Sequence, residues 1–271
     1  MPDDPLVGRT VEERWSIVEP IARGGMSTVY EARDLRDGSH VAIKVLKPGL
    51  KPELRSAERF RREAKAAARV SHPNVISIIS HGELQKGQLY LVMELALGVS
   101  LSRAIKVEAP FGARRATLVA LQICSALKEA HELGVLHRDL KPANIVLIHR
   151  RTEPDFVKIL DFGLAKLASA DEGESLTKAG LIFGTPEYMS PEQAVGKDVD
   201  GRCDLYALGA ILYEMLVGRP PFKGEGIFET VRMHVAEPPP VPRDVRPDAF
   251  IPPMLEGIVL RCLEKQPEDR F

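Results

Sequence analysis

Near Leu95 the apolar residues of the chain change their period, and any fold must accommodate both halves. Between Trp15 and about Leu95 they come in short runs rich in β-branched side chains: WSIVEPIA, TVYEARD, HVAIKVL, NVISIISHG and QLYLVMEL. Such runs fit a pleated, half-buried surface, and Asp37-Gly38 and Lys86-Gly87 supply turn signals between them. One helix interrupts the strands: in ELRSAERFRREAKAAARV, Phe60, Glu63 and Ala67 fall at i, i+3 and i+7, on one helix face. After Leu95 the period becomes helical. ATLVALQICSALKEAHELG places Val119, Ile123, Leu127 and Ala130 on one side and predicts a helix ending at Gly134. LYALGAILYEML, Leu205 to Leu216, is apolar almost all round and predicts a buried helix. The proline-rich EPPPVPRDVRP then leads to a last amphipathic helix over Met254 to Glu264. The expected architecture is α+β. A small strand-rich lobe spans about 15–95, a link lies near Ala96 to Gly98, and a larger, mainly helical lobe spans about 96–271. Residues 1–14 form an N-terminal extension.

The chain has 271 residues, 44% of them apolar and 28% charged, which is enough to bury a substantial core. Basic and acidic side chains nearly cancel to a net charge of -1, so no bulk attraction to nucleic acid or to an anionic membrane is expected. Cys124, Cys203 and Cys262 are odd in number, far apart, and each sits in an apolar helical pattern. They are expected to be reduced core thiols in a cytoplasmic setting, not a disulfide or zinc framework. No run approaches 18 apolar residues, and MPDDPLVGRT lacks the basic and apolar blocks of a signal peptide, so no membrane segment is expected in this chain.

The most specific feature is HRDLKPAN, His137 to Asn144, with DFG, Asp161 to Gly163, beginning seventeen residues after Asn144. Phosphoryl transfer needs a carboxylate near the attacking hydroxyl, oxygen ligands for magnesium, and cations around the phosphates. This block can supply each: Asp139 would be the base, and Asn144 and Asp161 would bind metal. Any one of these residues alone is explicable as a solvated loop charge; the combination is not. IARGGMSTVYEARD, Ile21 to Asp34, is weaker evidence. A G-x-G-x-x-G-x-V pattern laid over Ala22 to Val29 finds glycine only at Gly24, with Gly25 beside it and the small residues Ala22 and Ser27 at the flanking positions. On its glycines it could be an ordinary hairpin; VAIK, HRDLKPAN and DFG supply the context of a phosphate loop.

These motifs resemble the protein kinases, and within them the bacterial serine/threonine kinases of Hanks type, over about Trp15 to Phe271. The resemblance implies a bilobal protein kinase fold: a small antiparallel N-lobe sheet with one helix, and a larger helical C-lobe. It implies transfer of the γ-phosphoryl group of ATP, with Mg2+ or alternatively Mn2+, to serine or threonine of protein substrates, including the kinase's own activation loop. Lys44 of VAIK would contact the α- and β-phosphates and pair with Glu63, for which Arg59, four residues earlier, is the alternative partner. The adenine slot would be roofed by Ile21, Val29 and Ala42 and floored by Val146. Met93 would stand at its back, with backbone groups of Glu94 and Ala96 binding the base. Lys141 would touch the transferring phosphate and Thr185 would orient Asp139; both match the serine/threonine class rather than tyrosine kinases. Asp161 to Glu192 would be the activation segment. Within it Thr177 and then Ser175 are the phosphorylation candidates, docking on Arg138, while Ala179 stands where many relatives carry a second threonine. Asp204 would brace the catalytic loop, an N-cap being the competing reading. Glu192 and Arg270 would form a buried ion pair.

Two departures stand out. The chain stops one residue after Arg270, where such domains continue with one more helix. The stretch IVLIHRRTEPDFVKIL is about four residues longer than usual, which points to a polar hairpin tip around His149, Arg150 and Arg151. The relatives' association through the small lobe makes a kinase homodimer a further partner. A different class, a pseudokinase scaffold that binds nucleotide without catalysis, is the alternative. Its usual mark is loss of the lysine, the catalytic aspartate or a metal ligand, and Lys44, Asp139, Asn144 and Asp161 are all present.

Overall fold

The alternating runs of the first third of the chain become a sheet. The computed structural model describes residues 4–25, 27–47, 54–85, 87–162 and 185–271, and side chains are not described at 54–57 and 59. The chain divides into two units: Met1–Ser71 with Ile76–Leu97, and His72–Val75 with Gly98–Phe271.

In the first unit, β1 (Thr10–Val11), β2 (Trp15–Arg23), β3 (Ser27–Asp34), β4 (His40–Leu46), β5 (Ile78–Glu83) and β6 (Leu89–Glu94) form one antiparallel sheet in the order β1-β2-β3-β4-β6-β5. Helix α1 (Leu54–Ala67) packs on β5 and β6 through the buried Phe60, Ala64 and Ala67. Successive strand side chains point to opposite faces, and β3 shows it: Thr28, Tyr30, Ala32 and Asp34 are buried, their neighbours less so. Trp15, Ile17, Tyr30, Ala32, Ile43, Val45, Tyr90 and Val92 make a core with Val11 and Val41, and Leu6 packs against it. The N-terminal extension is therefore part of this unit. Gly38 and Gly87 hold φ of 76° and 75° at the two turns, a conformation that glycine adopts without steric cost.

In the second unit, β7 (Val99–Ser100), β8 (Ile145–Ile148) and β9 (Phe156–Ile159) form a small antiparallel sheet. Helices α2 (Leu101–Glu108) and α3 (Ala113–Glu132) come between β7 and β8. After β9 follow α4 (Pro191–Ala194), α5 (Arg202–Val217), α6 (Ile227–Ala236), α7 (Pro242–Val245) and α8 (Pro253–Cys262). Thirteen of the sixteen residues of α5 are buried, which makes it the axis of the unit, with α3 and α8 packed on it. A Cβ at Gly209 would lie 2.5 Å from that of Cys262, so the α5–α8 approach depends on a missing side chain. No helix among the described residues is long and apolar enough to cross a membrane.

Several expectations are corrected. Asn74–Ser77 is not strand, although Val75 makes a single bridge to Ile159. The long helix begins at Ala113, three residues before its apolar stripe at Ala116, because its first turn faces outward. Cys124 is exposed; only Cys203 and Cys262 are buried thiols. It lies next to the stripe of Ile123, Ala126 and Leu127 but outside it. Arg150 and Asp155 in the inserted tip are partnered rather than merely solvated. The Arg150 guanidinium lies 3.2 Å from the Phe156 ring centroid, and Arg115 grips Asp155 through two bonds of 2.8 and 2.9 Å.

Candidate active site

Strand register in the first unit decides which side chains share a face. Val29 pairs with Lys44, Lys44 with Leu91, Ala42 with both Glu31 and Met93, and Ala22 with Val29. Directly paired residues project to the same side, so Ala22, Val29, Ala42, Lys44 and Met93 line one face, opposite the core side of Tyr30, Ile43 and Val92. Ile21 falls in the register shift between Pro20 and Ala22 and is 45% exposed. Glu94 bonds Ser77 through its own N–H, at 2.9 Å to the Ser77 carbonyl, and Ala96 lies just beyond β6. Glu63 is mostly buried on α1, with Arg62 Nη2 at 3.5 Å from Oε1; the side chain of Arg59 lies outside the described residues.

The glycine turn is held from three sides. Gly24 N–H donates to the Ser27 carbonyl at 2.8 Å, Lys47 Nζ donates to the Gly24 carbonyl at 2.6 Å, and Arg23 bonds Asp4 at 2.8 Å. Asp4 also accepts from the Tyr30 hydroxyl at 3.2 Å, which ties the extension to the strand leaving the turn. Sequence reasoning missed Asp4 and Lys47. Their partners are a side chain and a carbonyl 19 and 23 residues away, and no local pattern marks them. A Cβ at Gly24 would meet only the Ser27 carbonyl, at 3.5 Å, and one at Gly25 would meet nothing within 4 Å. The chain's own packing therefore does not demand glycine at either position.

In the second unit the loop between α3 and β8 carries the HRDLKPAN residues. Lys141 Nζ lies 2.7 Å from Asp139 Oδ2. Asn144, in a 3-10 turn over Pro142–Asn144, donates through Nδ2 to the Asp139 carbonyl at 2.9 Å and to Asp139 Oδ2 at 3.2 Å. Asp139, Lys141 and Asn144 are thus brought together. Val146, in β8, follows directly and is half-buried.

The loop is braced from α5. Asp204 accepts from the backbone N–H of His137 at 2.9 Å and of Arg138 at 2.8 Å, and His131 Nε2 lies 2.8 Å from the same carboxylate. Gly201, not Asp204, is the N-cap of α5. Burial works against the charge of Asp204. The His131 bond and the two backbone N–H groups outweigh it and hold the carboxyl below its usual value. Arg138 sits at φ 65° and Asp161 at φ 60°, a region that costs an ordinary residue about 1–3 kcal/mol and persists only when the surroundings enforce it. For Arg138 the enforcement comes from Asp204 and from Gln193, whose Nε2 donates to the Arg138 carbonyl at 2.8 Å. Arg138 Nε is buried without a hydrogen-bond partner among the described residues.

Asp161 is held through its neighbours. His137 Nε2 lies 2.9 Å from the Leu160 carbonyl, Leu160 N–H donates to the Asn144 carbonyl at 2.8 Å, and the Phe162 ring meets His137 edge-on at 4.8 Å. Thr185 opens the 3-10 turn Pro186–Tyr188. Glu192, on α4, and Arg270 form a two-pronged pair at 2.7 and 2.8 Å, with both residues buried. Thr177, Ser175, Ala179 and the glycines at 163 and 184 lie outside the described residues.

The first unit carries a glycine turn and a strand lysine, and the second a braced Asp-Lys-Asn loop. The protein kinase domain model matches residues 15–271, and the chain belongs to that family. Among curated proteins it is 46% identical to serine/threonine-protein kinase pkn3 of Myxococcus xanthus, over 98% of this chain and 49% of that protein. It is 41% identical to serine/threonine-protein kinase PknB of Mycobacterium tuberculosis, over 96% of this chain and 41% of that protein. The chain thus spans half or less of the length of these relatives. Its fold resembles that of the Mycobacterium tuberculosis PknI kinase domain, with a TM-score of 0.73 at 28% identity over 97% of this chain and 92% of that one.

Proposed function

We propose that this domain, residues 15–271, transfers the γ-phosphoryl group of ATP to serine or threonine hydroxyls of proteins. The observation that carries the reading is the Asp139–Lys141–Asn144 cluster on a loop whose backbone Asp204 braces. Asp139 orients the attacking hydroxyl and takes its proton. Lys141, already beside that carboxylate, places a positive charge where the transferring phosphate gains negative charge. With its amide N–H2 engaged by Asp139, Asn144 has Oδ1 left to offer, and with the Asp161 carboxylate it forms a hard-oxygen donor pair of the kind Mg2+ takes. That ion, or Mn2+ in its place, supplies charge neutralisation on the phosphates when bound.

In the strand-rich unit Lys44 serves the α- and β-phosphates, with Glu63 as its partner. Val29, Ala42 and Met93 on the same sheet face, together with Ile21 and Val146, contact adenine, and backbone groups of Glu94 and Ala96 bind its edge. Glycine at 24 and 25, not required by the fold, leaves the backbone open to close approach by phosphates. Thr177, or else Ser175, is the regulatory phosphosite; its phosphate pairs with Arg138, whose Nε lacks a partner among the described residues. Thr185 supports Asp139. The free cysteines support a cytoplasmic setting, and a homodimer through the strand-rich unit is the association that the resemblance implies.

The test is direct. Purified chain with γ-labelled ATP and Mg2+ is expected to label itself and a basic test protein, and acid hydrolysis should release phosphoserine or phosphothreonine. No transfer would favour a scaffold, and phosphotyrosine would assign the other kinase class.

A further inference from the structure

We propose that Gln193 is a positioning residue for the catalytic loop, acting on Asp139 through the backbone of Arg138. The inference rests on the reading of Asp139 as the base. Gln193 Oε1 accepts from the Ser190 N–H at 3.2 Å and from the Ser190 hydroxyl at 3.0 Å, while Ser190 Oγ accepts from the Gln193 N–H at 3.4 Å. This is a reciprocal cap at the start of α4.

A backbone N–H can only donate, so the amide oxygen of Gln193 must face Ser190. Its nitrogen is thereby directed at the Arg138 carbonyl, which can only accept, at 2.8 Å. The orientation of the amide is fixed at both ends.

The consequence falls on Asp139. The peptide group before Arg138 is held by Asp204, and the one after it, which leads into Asp139, is held by Gln193. Between them Arg138 keeps its left-handed conformation at φ 65°. The adjacent Glu192 ties the same short helix to Arg270. Helix α4 is thereby fastened at one residue to the body of the helical unit and at the next to the catalytic loop. Gln193 does not touch a reacting atom, and its effect is on where Asp139 stands.

Gln193→Glu separates the two roles of the side chain. A glutamate caps Ser190 as well as glutamine does, yet it turns an acceptor oxygen toward the Arg138 carbonyl. The expected result is a fall in kcat of about tenfold, the rate equivalent of about 1.4 kcal/mol, the worth of the one hydrogen bond that positions the loop. The KM for ATP should stay at its wild-type value, measured with labelled ATP and a basic test protein, while the thermal midpoint falls only by the loss of that one bond. Gln193→Ala, which removes the cap as well, should lower both kcat and the midpoint. A wild-type kcat in Gln193→Glu overturns the proposal, as does a fall in kcat accompanied by the same loss of thermal stability in both variants. Asp139→Asn run alongside distinguishes the two levels of the argument. An active Asp139→Asn removes the reading of the base, whereas an inactive one beside a fully active Gln193→Glu removes the role of Gln193 alone.

Discussion

Arg138 and Asp161 hold left-handed backbone conformations, which aspartate adopts more readily than arginine; Arg138 is kept there by bonds from Asp204 and Gln193, and Leu160, just before Asp161, is bonded to His137 and Asn144. Asp204 is the strongest of these braces, since one carboxylate takes two backbone N–H groups and a histidine. Asp204→Asn keeps the shape but loses the charge and turns an amide donor toward one of those N–H groups. The expected cost is roughly 1.5–3 kcal/mol, the worth of hydrogen bonds to a charged acceptor, together with a lower kcat. Urea unfolding and initial-rate measurements check the two parts separately. At this scale the sequence was legible where a residue belongs to a motif: Asp139, Lys141 and Asn144 do meet. It was silent on Gln193, Asp4 and Lys47, because each acts on a backbone carbonyl or a distant side chain that only the folded chain brings near.

Elements were legible in proportion to their length and their end signals. The buried helix α5 was predicted from its all-round apolar pattern, and Gly218 ends it at φ 90° as a left-handed cap. Helix α2 was missed although Ser100 caps it, accepting from Arg103 N–H at 3.3 Å, and Leu101, Ala104 and Ile105 are buried at helical spacing. Helix α6 offered only a weak start signal, since Gly226 caps it without a side-chain bond and Glu229 alone marks its first turn. The four-residue α4 is too short to show a period, yet it carries the Glu192–Arg270 pair. Desolvation opposes the charge on Glu192, and Arg270 more than offsets it, so the carboxyl lies below its usual value. Removing one partner leaves a buried charge unpaired. Glu192→Gln or Arg270→Met alone should cost roughly 3–5 kcal/mol, and the double variant less than the sum. Urea denaturation of the three variants measures this, and strict additivity would show that the pair is not coupled.

For the molecule as a whole, acid is expected to weaken the helical unit before any carboxylate of ordinary strength is protonated. His234 is buried beside Tyr206, Phe222 and Lys265, and burial, then the charge of Lys265, lowers it to about 3. Its folded value lies below its unfolded value of 6.5, so the unfolded chain binds the extra proton. This stability is complete above about pH 6.5 and is lost as pH falls toward 3, by at most roughly 1.4 kcal/mol per pH unit. His234→Phe should flatten the fall in urea midpoint between pH 7 and 5; an unchanged slope would place the sensitivity elsewhere. A strand-rich part followed by a helical part was foreseeable from period and turn residues, and the antiparallel pairing of the sheet from the resemblance to the protein kinases. The return of His72–Val75 to the helical unit was not, since it depends on Asn74 bonding Gln122 and the Val157 carbonyl across long stretches of chain. The proposed role of the Asp139 carboxylate in phosphoryl transfer is tested by the single-turnover rate of Asp139→Asn with saturating labelled ATP and Mg2+. ATP affinity close to wild type and a rate lower by at least roughly a hundredfold, the scale of a lost general base, are expected. A variant that transfers phosphate at the wild-type rate would contradict it.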